Sequence, residues 1–108
     1  MQISKELARF TNLCQFKDLP ANVVHETKRS ILNYFAVCVA AYNDPAISKA
    51  FKLFRAYAGK PQSTIFGFQE KLDVMQACSL NAMAANIFDF DDTHLPTIIH
   101  PTAPGAVG

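Results

Sequence analysis

The strongest constraint on this chain is a series of apolar residues repeating at helical spacing and punctuated by prolines. Ile3, Leu7, Phe10 and Cys14 put one apolar stripe on a first helix that should end near Phe16. Asp18-Leu19-Pro20 supplies the acid and proline that suit a helix start. Val24, Ile31, Phe35, Cys38 and Tyr42 then mark one face of a second, longer helix, which Asn43-Asp44 stops. Asp44 is a natural N-cap with Pro45 at the first helical position. Ile47, Phe51, Phe54 and Ala58 carry a third stripe until Gly59 and Pro61 close it.

Ser63-Thr64-Ile65-Phe66-Gly67 is too short for a helix and holds β-branched residues, so it reads as a small strand or hairpin. From about Leu72 to Phe90 the chain is rich in Ala, Met and Leu with scarcely any charge, which predicts a helix buried on most of its circumference. The expected fold is mainly α: an antiparallel packing of about four helices with one short β hairpin or strand. The tail Ala103-Pro104-Gly105-Ala106-Val107-Gly108 starts what should continue as another helix.

A chain of 108 residues can hide roughly 65% of its unfolded surface, enough for one core. Half of the residues are hydrophobic, 18% are charged and the net charge is +1, which disfavours a disordered chain or an electrostatic nucleic-acid binder. Lys49, Lys52, Arg55 and Lys60 form a basic stretch that reads as a solvated helix face. Three cysteines without C-x-x-C pairing argue against disulfides and zinc and fit a reducing compartment. With neither a signal-peptide start nor an apolar run of about 18 residues, the expectation is a soluble, cytoplasmic protein with no membrane partner.

The chemistry-bearing residues gather near the end. If the fourth helix persists, Asp89, Asp92 and Thr93 share a face and Asp91 points elsewhere. Aspartates at a helix C-terminus oppose its dipole at roughly 0.3–1 kcal/mol each, and no cation is close in sequence. The alternative is a merely solvated helix end. Pro101 pushes His100 into an extended loop conformation, where a histidine near carboxylates is a candidate acid or base. His94 could take that role equally well, whereas His25 falls on a surface position. Asp89, Asp91, Asp92, His94 and His100 supply enough ligands for a divalent ion, but their spacing matches no specific metal site and none is expected.

The run Asp89-Phe90-Asp91-Asp92-Thr93-His94-Leu95-Pro96 followed by His100-Pro101-Thr102 resembles the signature of the MmgE/PrpD family. That family includes 2-methylcitrate dehydratase, cis-aconitate decarboxylase and an iminodisuccinate epimerase. Leu19-Pro20, Lys28, Ile31-Leu32-Asn33, Ser63–Gly67 and Leu80-Asn81-Ala82 extend the similarity upstream, so that essentially the whole chain is covered. The resemblance implies residues 1–108 to be the N-terminal segment of a helical domain that joins a smaller lid domain, usually in a homodimer. It implies cofactor-free lyase or isomerase chemistry on small di- and tricarboxylates. Carried over by position, His100 and Asp89 are the catalytic candidates, and Thr93 and Asp92 the substrate-binding ones. Some members carry one residue fewer between the threonine and the histidine, which leaves the substrate open. The family's members are several times longer, so the isolated chain is expected to be inactive.

Two other readings stand beside it. Ile87–Thr93 matches the D-x-D-x-T run of haloacid-dehalogenase-type phosphatases, where the first aspartate is a nucleophile and magnesium assists. That motif belongs at the end of a strand with an α/β domain following it. The third reading is a non-enzymatic helical assembly protein that associates through exposed apolar faces.

Overall fold

A computed structural model describes residues 2–106, so Val107 and Gly108 of the predicted terminal helix lie outside the described residues. The described part is mainly α with one small hairpin, as the periodicity predicts. Its elements are α1 (Ile3–Leu13), α2 (Ala21–Ala40), α3 (Pro45–Tyr57), β1 (Ser63–Thr64), β2 (Lys71–Leu72), α4 (Val74–Asn86) and α5 (Thr102–Ala106). Short 3-10 turns at Phe16–Asp18 and Ala41–Asn43 link the first three helices. Among the described residues no helix is long and apolar enough to cross a membrane.

Local chemistry explains most boundaries. Asp44 Oδ1 accepts the backbone N–H of Ala46 at 2.7 Å, and Pro45 opens α3 where its missing N–H costs nothing. Asp73 caps α4 by accepting from Gln76 N at 3.2 Å, and its other oxygen takes Gly59 N at 3.0 Å, tying the end of α3 to the start of α4. These backbone donors hold the Asp73 carboxyl below its ordinary range.

β1 and β2 pair antiparallel with Ser63 opposite Leu72. The turn between them holds Gly67 at φ +84, with the Tyr42 ring so close that a β-carbon there would overlap it. Asn81, 6% exposed on α4, fastens this hairpin from below. Its Oδ1 accepts Phe66 N at 3.0 Å and its Nδ2 donates to Thr64 O at 3.1 Å.

The core has two adjoining parts. Tyr34, Cys38 and Ala41 of the α2 region pack with Ile47, Ala84 and Ala85, while Phe51, Ile65, Leu72, Ala77 and Leu80 pack under the hairpin. Phe68 touches both. Burial pushes the Tyr34 phenol above its ordinary range, with Cys38 beside it adding to the effect.

Three expectations need correction. The fourth helix is buried along one stripe only, through Ala77, Leu80, Asn81, Ala84 and Ala85, while Val74 and Met75 face solvent. Alanines on that stripe let α4 lie close to α2, so the run's apolar character reflects close approach rather than burial all round. The helix also stops at Asn86 instead of running to Phe90. Finally, α1 ends at Leu13 rather than near Phe16, and none of its residues is buried. Ile3, Leu7 and Phe10 are 60–62% exposed, so the predicted stripe is present but unpacked within the described residues.

Candidate functional site

The acidic run begins where α4 gives out. Asp89 N bonds back to Asn86 O at 3.0 Å, and Asp89 itself adopts φ +49, a left-handed conformation that Asp tolerates better than most residues. Helical geometry is thereby lost before Asp91, so the expected face shared by Asp89, Asp92 and Thr93 does not form. Beyond Asp89 the chain runs as a loop pinned at several points. Asn33 Nδ2 on α2 donates to Phe90 O at 3.2 Å.

The segment from His94 to Ile99 folds back on itself. His94 N donates to Ile99 O at 2.8 Å in an antiparallel bridge, and Ile98 turns the chain at φ +51. One step outward in that register lie Thr93 and His100, and the Thr93 hydroxyl is 3.4 Å from His100 Nδ1. Beyond them Asp92 receives Thr102 N at 3.2 Å and Thr102 Oγ at 2.6 Å, at the start of α5. The hairpin therefore unites Thr93 with His100 by strand-like pairing.

Helical spacing points Asp91 away from the site, yet its Oδ1 is 3.2 Å from His100 Nδ1. Its side chain is 4% exposed against 36% for the histidine. Burial pushes the Cys38 thiol above its ordinary value, and the Asp91 carboxylate pushes the same way. Asp91 thus lies between the protein interior and the histidine. The signal for it in the sequence is the acidic run itself, which α-helical spacing assigns to the wrong face.

Asp89, Asp91 and Asp92 line a groove of about 410 Å³ with Phe90 and with Glu26, Arg29, Ser30 and Asn33 of α2. Arg29 is the cation that sequence proximity did not supply, although its guanidinium is held by Glu26 at 2.9 Å. Carboxylates still outnumber cations on these walls, so an anionic ligand would meet net repulsion from this groove alone.

Ligand atoms of Asp89, Asp91 and His100 lie within 4.8 Å of one another and can address one divalent ion. The other residues grouped with them are engaged elsewhere, Asp92 by Thr102 and His94 by Thr97 at 2.7 Å. His94 is exposed, as is His25 on α2. The phosphatase-type reading expects its aspartates at the end of a strand, but Ile87–Thr93 follows a helix, and the strands among the described residues form only a two-stranded antiparallel pair.

Residues 5–106 match the family model for the MmgE/PrpD N-terminal domain. Searches of curated proteins and of solved structures return no match.

Proposed function

Because the chain belongs to the MmgE/PrpD family, we propose that it forms one wall of the active site of a cofactor-free lyase or isomerase acting on small di- or tricarboxylates. The reaction is proton transfer at a carbon next to a carboxylate, ending in dehydration, decarboxylation or epimerisation. His100 is the proton-transfer group and Asp89 its partner in catalysis. Thr93 offers its hydroxyl to the substrate. Asp92 belongs to the substrate-binding loop, where its engagement with Thr102 favours a part in shaping that loop.

The observation that carries this reading is the approach of Thr93 to His100 beside the groove that Asp89 and Asp92 line. A histidine on a loop can serve as a general acid or base, and a hydroxyl at its side can hold a carboxylate or hydroxyl of the substrate. A polyanionic substrate needs several charge-assisted contacts, and with Arg29 paired to Glu26 these must come from further polypeptide.

Exposed apolar side chains support association as well. Leu7 and Phe10 on α1 and Leu95 and Ile98 on the hairpin are all more than half exposed, a surface suited to burial in a homodimer or against the remainder of the enzyme. Sedimentation that finds a well-behaved monomer over a wide concentration range would count against self-association. The reaction class is tested with cis-aconitate, 2-methylcitrate and iminodisuccinate, offered to the enzyme that this domain helps to build. Turnover of one of them is expected, and magnesium-dependent hydrolysis of a phosphate ester in its place would overturn the reading. The 108 residues alone should leave all three substrates unchanged.

A further inference from the structure

Asp91 has a buried carboxylate oxygen and an unmet need. Oδ1 is shielded from solvent and accepts no aligned hydrogen bond from any group among the described residues. Such an atom is costly to a fold, the more so when the group is ionised. His100 Nδ1 lies 3.2 Å away, with its N–H not yet directed at the oxygen. A ring 36% exposed has room to turn and align it.

The backbone around Asp91 is held on both sides. Phe90 O is bound by Asn33 of α2, and the neighbouring Asp92 carboxylate is fixed to Thr102. The carboxylate is therefore the anchored partner and the imidazole the adjustable one. Thr93 Oγ approaches the same nitrogen at 3.4 Å, but a hydroxyl can donate or accept and so cannot decide where the ring carries its proton. An ionised carboxylate can only accept.

We propose that Asp91 is the positioning residue of this site, holding neutral His100 in the tautomer with its proton on Nδ1 and leaving the lone pair on Nε2 for proton transfer. The inference rests on the reading of His100 as the proton-transfer group. When Nε2 takes a proton from the substrate carbon, the imidazolium faces the Asp91 carboxylate. When Nε2 gives the proton up, the same tautomer returns and the cycle closes without net change.

The test reads the ring nitrogens directly, in the full 15N-labelled chain at a pH where the ring is neutral. Long-range 1H–15N correlation should show the His100 proton on Nδ1, whereas a free imidazole favours Nε2. Asp91→Ala should move the proton to Nε2, and Thr93→Val should leave it on Nδ1. If Asp91→Ala does not give a folded amide spectrum, Asp91→Asn, whose amide can also donate, should shift the population the same way. An Nε2–H tautomer in the unmodified chain, or an Nδ1–H tautomer that survives loss of the Asp91 carboxylate, overturns the proposal. Because no turnover is involved, either result leaves the reaction class standing. A correct tautomer in an enzyme that turns over none of the carboxylates would count against the reaction class alone.

Discussion

The Asp92 carboxylate reaches along the chain to Thr102, taking its backbone N–H at 3.2 Å and its hydroxyl at 2.6 Å. That clasp closes the loop carrying Thr93 and His100. Replacing Asp92 with Ala removes both bonds and should free the hairpin without unfolding the helices. Amide hydrogen exchange should quicken between Thr93 and Thr102 while α2 and α4 keep their protection. Uniform protection in the variant would show that the clasp does not hold the loop.

Asn81 serves two partners, Phe66 N and Thr64 O, through part-buried hydrogen bonds from its side-chain amide. Asn81→Leu keeps a side chain of similar size but strands a donor and an acceptor. A fully buried group left unpaired costs roughly 1–3 kcal/mol, and with both bonds only part-buried a total loss of about 1–3 kcal/mol is expected in denaturant unfolding. Stability within about 0.5 kcal/mol of the parent would mean that the hairpin is held by its apolar contacts alone.

Gly67 combines φ +84 with the close approach of Tyr42. Gly67→Ala meets both a strained backbone and overlap with the Tyr42 side chain, and should cost on the order of 1–3 kcal/mol. Adding Tyr42→Gly removes the Tyr42 β-carbon, which a β-carbon at position 67 would meet, and so relieves the overlap but not the strain. The double variant should therefore lose less than the sum of the two single changes, a coupling readable in a double-mutant cycle.

Asp73 gives the fold an acid-sensitive joint. Its carboxyl is held low chiefly by the Gly59 and Gln76 backbone donors. The stability it contributes is thus fully present above the unfolded aspartate value of about 3.9 and is lost as pH falls through the lower folded value. Compared with Asp73→Asn, the parent should melt higher at neutral pH, and the difference should shrink as pH drops below about 4. A difference in Tm that stays constant down to about pH 3 would contradict the assignment.

The helical stripes and the cap of α3 were legible because their causes are local. Asp44-Pro45 fixes the start of α3 within two residues, and the Ser63–Gly67 element pairs with Lys71-Leu72 close to where β-branching placed it. The end of α4 was not legible. Ile87 and Phe88 continue an apolar run without proline or glycine, and the break comes from Asp89 entering the left-handed region. That choice depends on tertiary anchors, such as Asn33 on Phe90 O, that spacing cannot reveal. The acidic run and the His-Pro pair identify the candidate residues, but their grouping is set by the register of the His94–Ile99 bridge. This register brings Thr93 to His100 and, together with the lost helix, turns Asp91 from an outward-facing acid into the histidine's buried neighbour. The unpacked stripe on α1 is a helix face, as its spacing indicates, while its exposure depends on which other surfaces are present.

The central claim is that His100 moves a proton at a carbon beside a carboxylate. It is tested most directly by following deuterium incorporation from D2O into substrate and product by NMR, in the enzyme carrying this domain and in its His100→Ala variant. The parent should transfer solvent deuterium to that carbon, and the variant should do so at least about a hundredfold more slowly. Incorporation at an undiminished rate in His100→Ala would contradict it.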